Sequence, residues 1–418
     1  GNQWGLFPSA SAAWRISQES FAQNWSRLDL LKLRASFGKL GNQNIDVYAA
    51  SDILGVSEIY VIGDNIVSTS LISSLANKKI SWESTTQYNG GIDFGFLNMF
   101  SGSFDVYKKI TEDALVRIEV PVTTGVEEGP YKNIAEIQNM GWDFNLNWHK
   151  AVARELMVNL NLNISGYKNE ITNLESDTPY YFDYEKRTSS PKYVWMEGEA
   201  VNSFLGYESG GIVTQADIDG SLLPTQLVSV EPGDLWYKDQ NGDDVINADD
   251  RIILGTPHPD FTYSVNLALE YKNFDFSILI QGVYGAETST LDDFFRGDLS
   301  SPKNRPAFFL DRWTPENPDT YFPKLTLQSM KLPMSDHFIE DISYLRGKEI
   351  TLGYTIPGKI TRKIHINNLR AYVNLLNAFT ITDYRGLDPE RPDPSAGSVS
   401  QFVHPPVKSV SFGLQVKL

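Results

Sequence analysis

Hydrophobic and polar positions alternate with period two over long stretches of this chain. Between 155 and 165, Leu156, Val158, Leu160, Leu162 and Ile164 fall on one face while Asn159, Asn161, Asn163 and Ser165 fall on the other. The same alternation runs through 142–148, 265–271 and 274–280, and only Lys272 and Asn273 separate the last two blocks, which predicts a hairpin with a tight turn. Further strands are predicted over 5–16, 28–39, 87–97, 102–114, 342–354, 367–378 and 408–418. The last of these carries Val410, Phe412, Leu414, Val416 and Leu418 on one face. Blocks of about ten residues have the length that a tilted strand needs to cross a bilayer.

The connections fall into two kinds. Short ones lie at 98–101, 149–154, 272–273 and 355–366, the last holding Pro357 and Gly358; long ones lie at 40–86, 115–133, 171–259, 285–341 and 379–407. They alternate, as in outer-membrane barrels with periplasmic turns and large external loops. One stretch is ambiguous: Tyr193, Val194, Trp195 and Met196, continuing through Phe204 to Tyr207. A crossing there would move every later short turn to the outside, so 171–259 is placed wholly outside. The expectation is an all-β, transmembrane antiparallel β-barrel portion of about eleven strands with Leu418 in the periplasm. A soluble β-sandwich or propeller also alternates. Against it stand the aromatics near strand ends, Trp142, Trp148, Tyr271 and Tyr284, which suit the two lipid interfaces. Faces rich in Asn, Ser and Asp suit a wet lumen and would be costly in a dry core.

Composition agrees with this picture. Aromatics make up 12% of the 418 residues and charged residues only 21%, a bias towards strand formers. The net charge of −16 repels polyanions, which argues against nucleic acid as a partner. Without cysteine, disulfides and thiolate metal sites are excluded. No run of about 18 apolar residues forms a transmembrane helix, and no signal peptide opens the chain at Gly1, Asn2, Gln3 and Trp4. An exported protein with that start is expected to be a mature product or a fragment.

One segment carries metal-ligand spacing. From Asp239 to Asp250, oxygen side chains stand at positions 1, 3, 5, 9 and 12 of a twelve-residue loop: Asp239, Asn241, Asp243, Asn247 and Asp250. The Val245 carbonyl takes position seven and Ile246 is the apolar anchor, so the loop is a candidate structural calcium site. Position six is Asp244 where Gly normally makes the turn, and position twelve is Asp rather than Glu. The alternative is an acidic turn held by Asx-type hydrogen bonds. Elsewhere the chemistry is sparse. His149, His258, His337, His365 and His404 show no i, i+4 pair, and neither Gly-x-Ser-x-Gly nor a Walker A sequence is present. Carboxylate pairs such as Glu127 with Glu128 and Asp292 with Asp293 could in principle serve a glycosidase, but carboxylates are common in acidic loops and no catalytic role is expected. Aromatic clusters lie in the long loops: Tyr180, Tyr181, Phe182 and Tyr184; Phe294 and Phe295; Phe308 and Phe309; Trp313 with Tyr321. They suit either loop packing or contact with a ligand or partner.

Several phrases resemble the SusC/RagA-type TonB-dependent outer-membrane transporters of Bacteroidetes. They are Trp4-Gly5-Leu6-Phe7-Pro8-Ser9-Ala10-Ser11, Leu31-Lys32-Leu33-Arg34-Ala35-Ser36-Phe37-Gly38 and Asn139-Met140-Gly141-Trp142-Asp143. To these add Gly233-Asp234-Leu235-Trp236-Tyr237-Lys238-Asp239 through Arg251, Leu345-Arg346 with Leu352-Gly353-Tyr354, and Leu369-Arg370-Ala371-Tyr372-Val373. Arg312-Trp313-Thr314-Pro315-Glu316-Asn317-Pro318 is similar to a loop element of the same family. The resemblance covers the C-terminal half of such a transporter and implies a plug, a TonB box and the first strands of a barrel of about 22 outside this chain. It also implies energy-coupled import of an oligosaccharide or peptide, TonB acting through the plug, a SusD-like lipoprotein as lid, and outer-membrane lipid around the barrel. A passive porin and a secreted β-rich carbohydrate-binding module are the rival readings.

Overall fold

The computed structural model describes residues 4–22, 24–42, 51–63, 65–118, 123, 126, 129–175, 179–184, 191–290, 304–326, 332–390, 392–393, 398–399 and 405–417. Its centre is one antiparallel sheet of eleven strands in the order β1 to β11, so each strand pairs with its neighbours in sequence. The strands are β1 (Ser9–Arg15), β2 (Leu28–Asn42), β3 (Glu83–Phe96), β4 (Phe100–Arg117), β5 (Tyr131–Ala153) and β6 (Leu156–Leu174). They continue as β7 (Phe261–Tyr271), β8 (Phe274–Tyr284), β9 (Tyr344–Thr355), β10 (Asn368–Ile381) and β11 (Ser409–Lys417). No helix among the described residues is long and apolar enough to cross a membrane, a finding that does not bear on strands.

Register turns the sequence alternation into two continuous surfaces. One row of paired residues reads Arg15, Lys32, Asp93, Ser103, Asn145, Asn163, Ser264, Gln281, Arg346 and Thr380 from β1 to β10. The adjacent row reads Trp14, Leu33, Ile92, Phe104, Phe144, Ile164, Tyr263, Gly282, Leu345 and Ile381. Because side chains alternate across a sheet, these rows belong to opposite faces, one polar and one apolar.

Nothing among the described residues covers the apolar face. Trp14, Phe104, Leu352, Phe412 and Leu414 all stand exposed on it, Phe412 at 80%. The buried clusters lie elsewhere. One joins Tyr193, Phe204, Leu235, Leu332, Met334 and Phe338 in the loops, and a second joins Ala114, Ile134, Ala135, Ile171 and Leu174 at the loop ends of β4 to β6. A sandwich would pack a second sheet on the apolar face; here its partner is solvent or lipid.

Aromatics mark both ends of the apolar face. At the short-turn end Phe100 stacks on Trp148 at 6.2 Å and Phe274 lies 4.7 Å from Tyr354. At the long-loop end Phe37 meets Tyr88 at 5.3 Å and Phe261 stacks on Tyr284 at 5.1 Å. Between the rings at the two ends of β7, Phe261 and Tyr271, at about 3.3 Å per residue and the usual ~45° tilt, the band measures roughly 23 Å, close to the height of a barrel's lipid-facing belt.

Short and long connections alternate along the sheet. The strands nevertheless outrun the alternation at their loop ends, so β5 starts at Tyr131 and β6 ends at Leu174. There both faces bury side chains in the cluster around Ile171, and period two fades. The long excursion expected over 171–259 therefore begins at 175. Within it Pro191–Trp195 pairs with Tyr180–Tyr184 and Ser203–Gly206 in a separate four-stranded sheet with Ile252–Gly255. A second small sheet, Ile339–Asp341, Glu287–Ser289, Ser398–Val399 and Pro392–Asp393, links the last two long loops.

Candidate functional site

The polar face is the first candidate surface, and β5 and β6 build its neutral part. Asn145 Nδ2 donates to Asn163 Oδ1 at 2.6 Å, Asn163 to Asn161 at 2.7 Å, Asn161 to Asn147, and Asn147 back to Asn145 at 2.7 Å. The four carboxamides close a ring in which each gives one N–H and receives one; Asn163 gives its second N–H to Ser264 Oγ at 3.3 Å, and the other three keep a second N–H and spare lone pairs for solutes. Farther along the same strands Asn169 donates to Asn139 at 2.8 Å.

Three arginines interrupt this neutral surface. Arg34 on β2 reaches Asp93 on β3 through Nη2 at 2.8 Å and Asp105 on β4 through Nη1 at 2.9 Å and Nη2 at 2.8 Å. It can do so because the residue between them is Gly91, where a Cβ would stand 3.0 Å from the guanidinium carbon. Arg370 on β10 reaches Asp275 on β8, Nε to Oδ1 at 2.9 Å, past Gly353 in the same way.

Arg346 on β9 differs. It is 2% exposed, and its carboxylate partners come from the loop after β10. Nη2 meets Asp388 Oδ2 at 2.7 Å and Nη1 meets Glu390, while Nε donates to Thr380 Oγ1 at 3.0 Å. Lys348 Nζ lies 2.6 Å from Glu390 Oε1, and Gln281 Nε2 donates to the same oxygen at 3.0 Å. The strand is bulged here, since Gly347 and Glu349 pair with Ile280 and Leu279 and leave Lys348 unpaired in the ladder. A bulge re-aims a side chain, and this one sets a second cation beside the first.

The loop from 239 to 250 folds as a chain of Asx turns. Asp239 Oδ1 accepts from the Asn241 and Gly242 amides at 3.1 and 2.7 Å, and Oδ2 from Asp244 at 2.7 Å. Asn241 Oδ1 accepts from Asp243 at 2.9 Å, and Asp243 Oδ1 from Val245 at 2.9 Å. Desolvation pushes the Asp239 carboxyl up, but the amides of Asp244, Gly242, Asn241 and Asp243 outweigh it and hold the group below the usual carboxylate range. Asp244, at the position where Gly was expected, takes φ +62°. Ile246 is buried with Tyr207 and Tyr237, and Asp250, fully buried, accepts from Gln240 and Asn247 amides at 2.9 and 2.7 Å. Asn247 caps Asp249 at 2.8 Å. Among the described residues no group of three or more His, Cys, Asp or Glu side chains gathers as a metal-ligating cluster; carboxamides and carbonyls stand outside that count.

The loop aromatics pack mainly on one another. Phe308 stacks on Phe322 at 4.9 Å, Phe309 is buried, and Tyr321 stacks on His337 at 4.4 Å. Arg385 places its guanidinium 5.5, 5.2 and 5.2 Å from the rings of Phe308, Tyr321 and Phe322 and pairs with Glu340 at 3.0 Å. His337 is held neutral: burial first, and then Arg385, push its imidazole down to about 3. The other described histidines are ordinary polar positions, as where His258 Nε2 lies 2.9 Å from the Val201 carbonyl. A cavity of about 440 Å³ opens between 226–237 on one side and 324–326 with Leu332 and Pro333 on the other, with Lys324 paired to Glu231 at 3.0 Å and Asp234 at 3.3 Å beside it.

Glu127, Glu128, Asp292, Asp293, Phe294, Phe295, His404 and Leu418 lie outside the described residues, as do the side chains of Tyr180, Tyr181, Phe182 and Tyr184. Sequence reasoning missed Arg34, Arg346 and Arg370. The available signal was an arginine at a polar position of an alternating strand.

Comparison with known proteins places the chain in context. Residues 1–311 match the family model described as TonB dependent receptor-like, beta-barrel. The chain is 30% identical to TonB-dependent receptor P3 of Formosa agariphila, over all of this chain and 42% of that protein. It is 31% identical to TonB-dependent receptor SusC of Bacteroides thetaiotaomicron, over 93% of this chain and 38% of that protein. Among solved structures it is similar to the RagAB peptide transporter, with a TM-score of 0.78 and 25% identity, over 98% of this chain and 43% of that one. The chain thus spans about two-fifths of the length of the relatives it matches.

Proposed function

The chain belongs to the SusC/RagA family of TonB-dependent outer-membrane receptors, and on that premise we propose that it forms the C-terminal half of an importer's barrel. The cargo is a peptide or another oligomeric nutrient. The observation that carries this reading is the eleven-stranded sheet with one bare apolar face and one continuous polar face. In a closed barrel of about 22 strands the first face meets lipid and the second lines the lumen. The edges of β1 and β11 pair with the remaining strands, because each unsatisfied backbone group in hydrocarbon costs several kcal/mol. Short turns then lie in the periplasm together with the end of β11, and the long loops lie outside.

A plug inside the lumen couples the barrel to TonB, and a SusD-like lipoprotein closes over the long loops. The likeness to the RagAB peptide transporter supports that reading and favours a peptide cargo. The 239–250 loop holds a structural calcium ion in this reading. Its donors are all oxygens, Asp239, Asn241, Asp243, the Val245 carbonyl, Asn247 and Asp250, and hard cations select such a set. The left-handed Asp244 provides the turn that the ligand order requires.

The test is uptake of labelled oligopeptide and oligosaccharide pools by cells with and without the full-length transporter. Loss of uptake of one pool on deletion, and equally on dissipating the proton gradient, is the expected result. Uptake that survives without TonB or a proton gradient would make the protein a passive porin instead.

A further inference from the structure

We propose that Arg346 and Lys348, with Gln281 and Thr380 beside them, form a carboxylate-binding subsite on the polar face, and that residues 382–390 fill it in cis as a displaceable strap. Three observations carry this. Arg34 and Arg370, within the same face, find their carboxylates on neighbouring strands, Asp93 and Asp105 for Arg34 and Asp275 for Arg370. Arg346 and Lys348 find theirs in Asp388 and Glu390, from the loop alone. Two cations built into the sheet are therefore matched by two anions that are not.

Secondly, the strap is held by side chains. Among the described residues no backbone-to-backbone hydrogen bond ties Arg385 through Glu390 to the rest of the protein. Its anchors are Asp388 and Glu390 on the sheet, Thr382 Oγ1 donating to the Ser343 carbonyl at 2.8 Å, Arg385 on Glu340 and its three rings, and Tyr384 packed with Ala286 and Ile342. Lifting Asp388 and Glu390 breaks no sheet ladder. Thirdly, the strap's two carboxylates cap Arg346, which is almost fully buried, while Glu390 and Lys348 keep part of their surface in water. A ligand can thus engage the rim before the strap lets go, and charge-assisted pairs can be exchanged one at a time.

The subsite selects ligands with two carboxylates a few bonds apart, because such a ligand restores the neutrality lost when the strap leaves. An acidic peptide or an acidic sugar oligomer carries that chemistry, and its role as cargo rests on the import reading above. The exchange itself does not.

The experiment uses the full-length transporter with a nitroxide at Leu387→Cys. Leu387 is 58% exposed on the strap, and this chain brings no other cysteine. Sodium glutarate is titrated against sodium chloride at matched ionic strength while the nitroxide line shape is followed. The expected result is an immobilised label that glutarate frees and chloride does not. A Asp388→Asn/Glu390→Gln variant should show a mobile strap from the start and bind glutarate at least about tenfold more tightly, since apparent affinity is reduced by the occupied fraction. Equal responses to glutarate and chloride would overturn the proposal whatever the transporter imports. So would a glutarate response that persists in Arg346→Gln/Lys348→Gln.

Discussion

Single residues decide whether the loop chemistry is structural or incidental. Asp239 already accepts three loop amides, so the loop keeps its shape on its own, and a bound cation would add rigidity rather than create the fold. Terbium, a calcium substitute, should luminesce when the neighbouring Trp236 and Tyr237 are excited in the full-length protein, and calcium should quench it by competition. Asp239→Ala should abolish the signal; a signal that survives it would place the ion elsewhere. His337 gives a signed pH effect. Its imidazole is neutral in the fold down to about 3, whereas a free histidine protonates near 6.5. The stability it contributes is fully present above about 6.5 and is lost as pH falls towards 3, at up to about 1.4 kcal/mol per unit. Hydrogen exchange of 335–341 should therefore rise relative to the barrel strands between pH 7 and pH 5, and His337→Phe should remove that trend. The oxygen-rich spacing of 239–250, which the calcium proposal uses, is legible in sequence because its residues lie within one twelve-residue run. The Arg346 site was not, since its partners stand beyond a whole strand, in a loop with no pattern of its own.

At the level of elements, glycines fix where charges cross the sheet. Gly91 and Gly353 each occupy the central strand of three and let an arginine on one side meet a carboxylate on the other. Gly91→Val should cost about 1–3 kcal/mol, by crowding Arg34 and Asp105. Heat-modifiable migration of the full-length transporter in detergent should show unfolding at lower temperature than for Ala35→Val, which changes volume on the opposite face of β2. Equal thresholds would mean that the cross-strand pairs carry no stability. The strands themselves were legible, because period two holds wherever one face is apolar and the other wet. It fails at the outer ends of β5 and β6, where both faces are buried, and at Lys348, where the bulge shifts parity. Sequence alone offered no sign of that bulge.

At the scale of the whole molecule, the burial pattern runs contrary to that of a soluble domain. The sheet's apolar face stands bare while the buried clusters sit in loops and at strand ends. A surface of that extent requires lipid or a partner. The alternation of short and long connections already pointed to a membrane barrel, since it depends only on counting residues between patterned blocks. How the loops fold together, through Arg385 on its three rings and through the strap on Arg346, arises from contacts between segments far apart in sequence. The most direct test of the account places bimane on single cysteines at Asn161, Leu162, Asn163 and Ile164 of β6 in the full-length transporter in bilayers. Brominated lipid should quench Leu162 and Ile164, and aqueous iodide should quench Asn161 and Asn163, in strict alternation. Iodide quenching at all four positions, with no effect of brominated lipid, would contradict the membrane barrel.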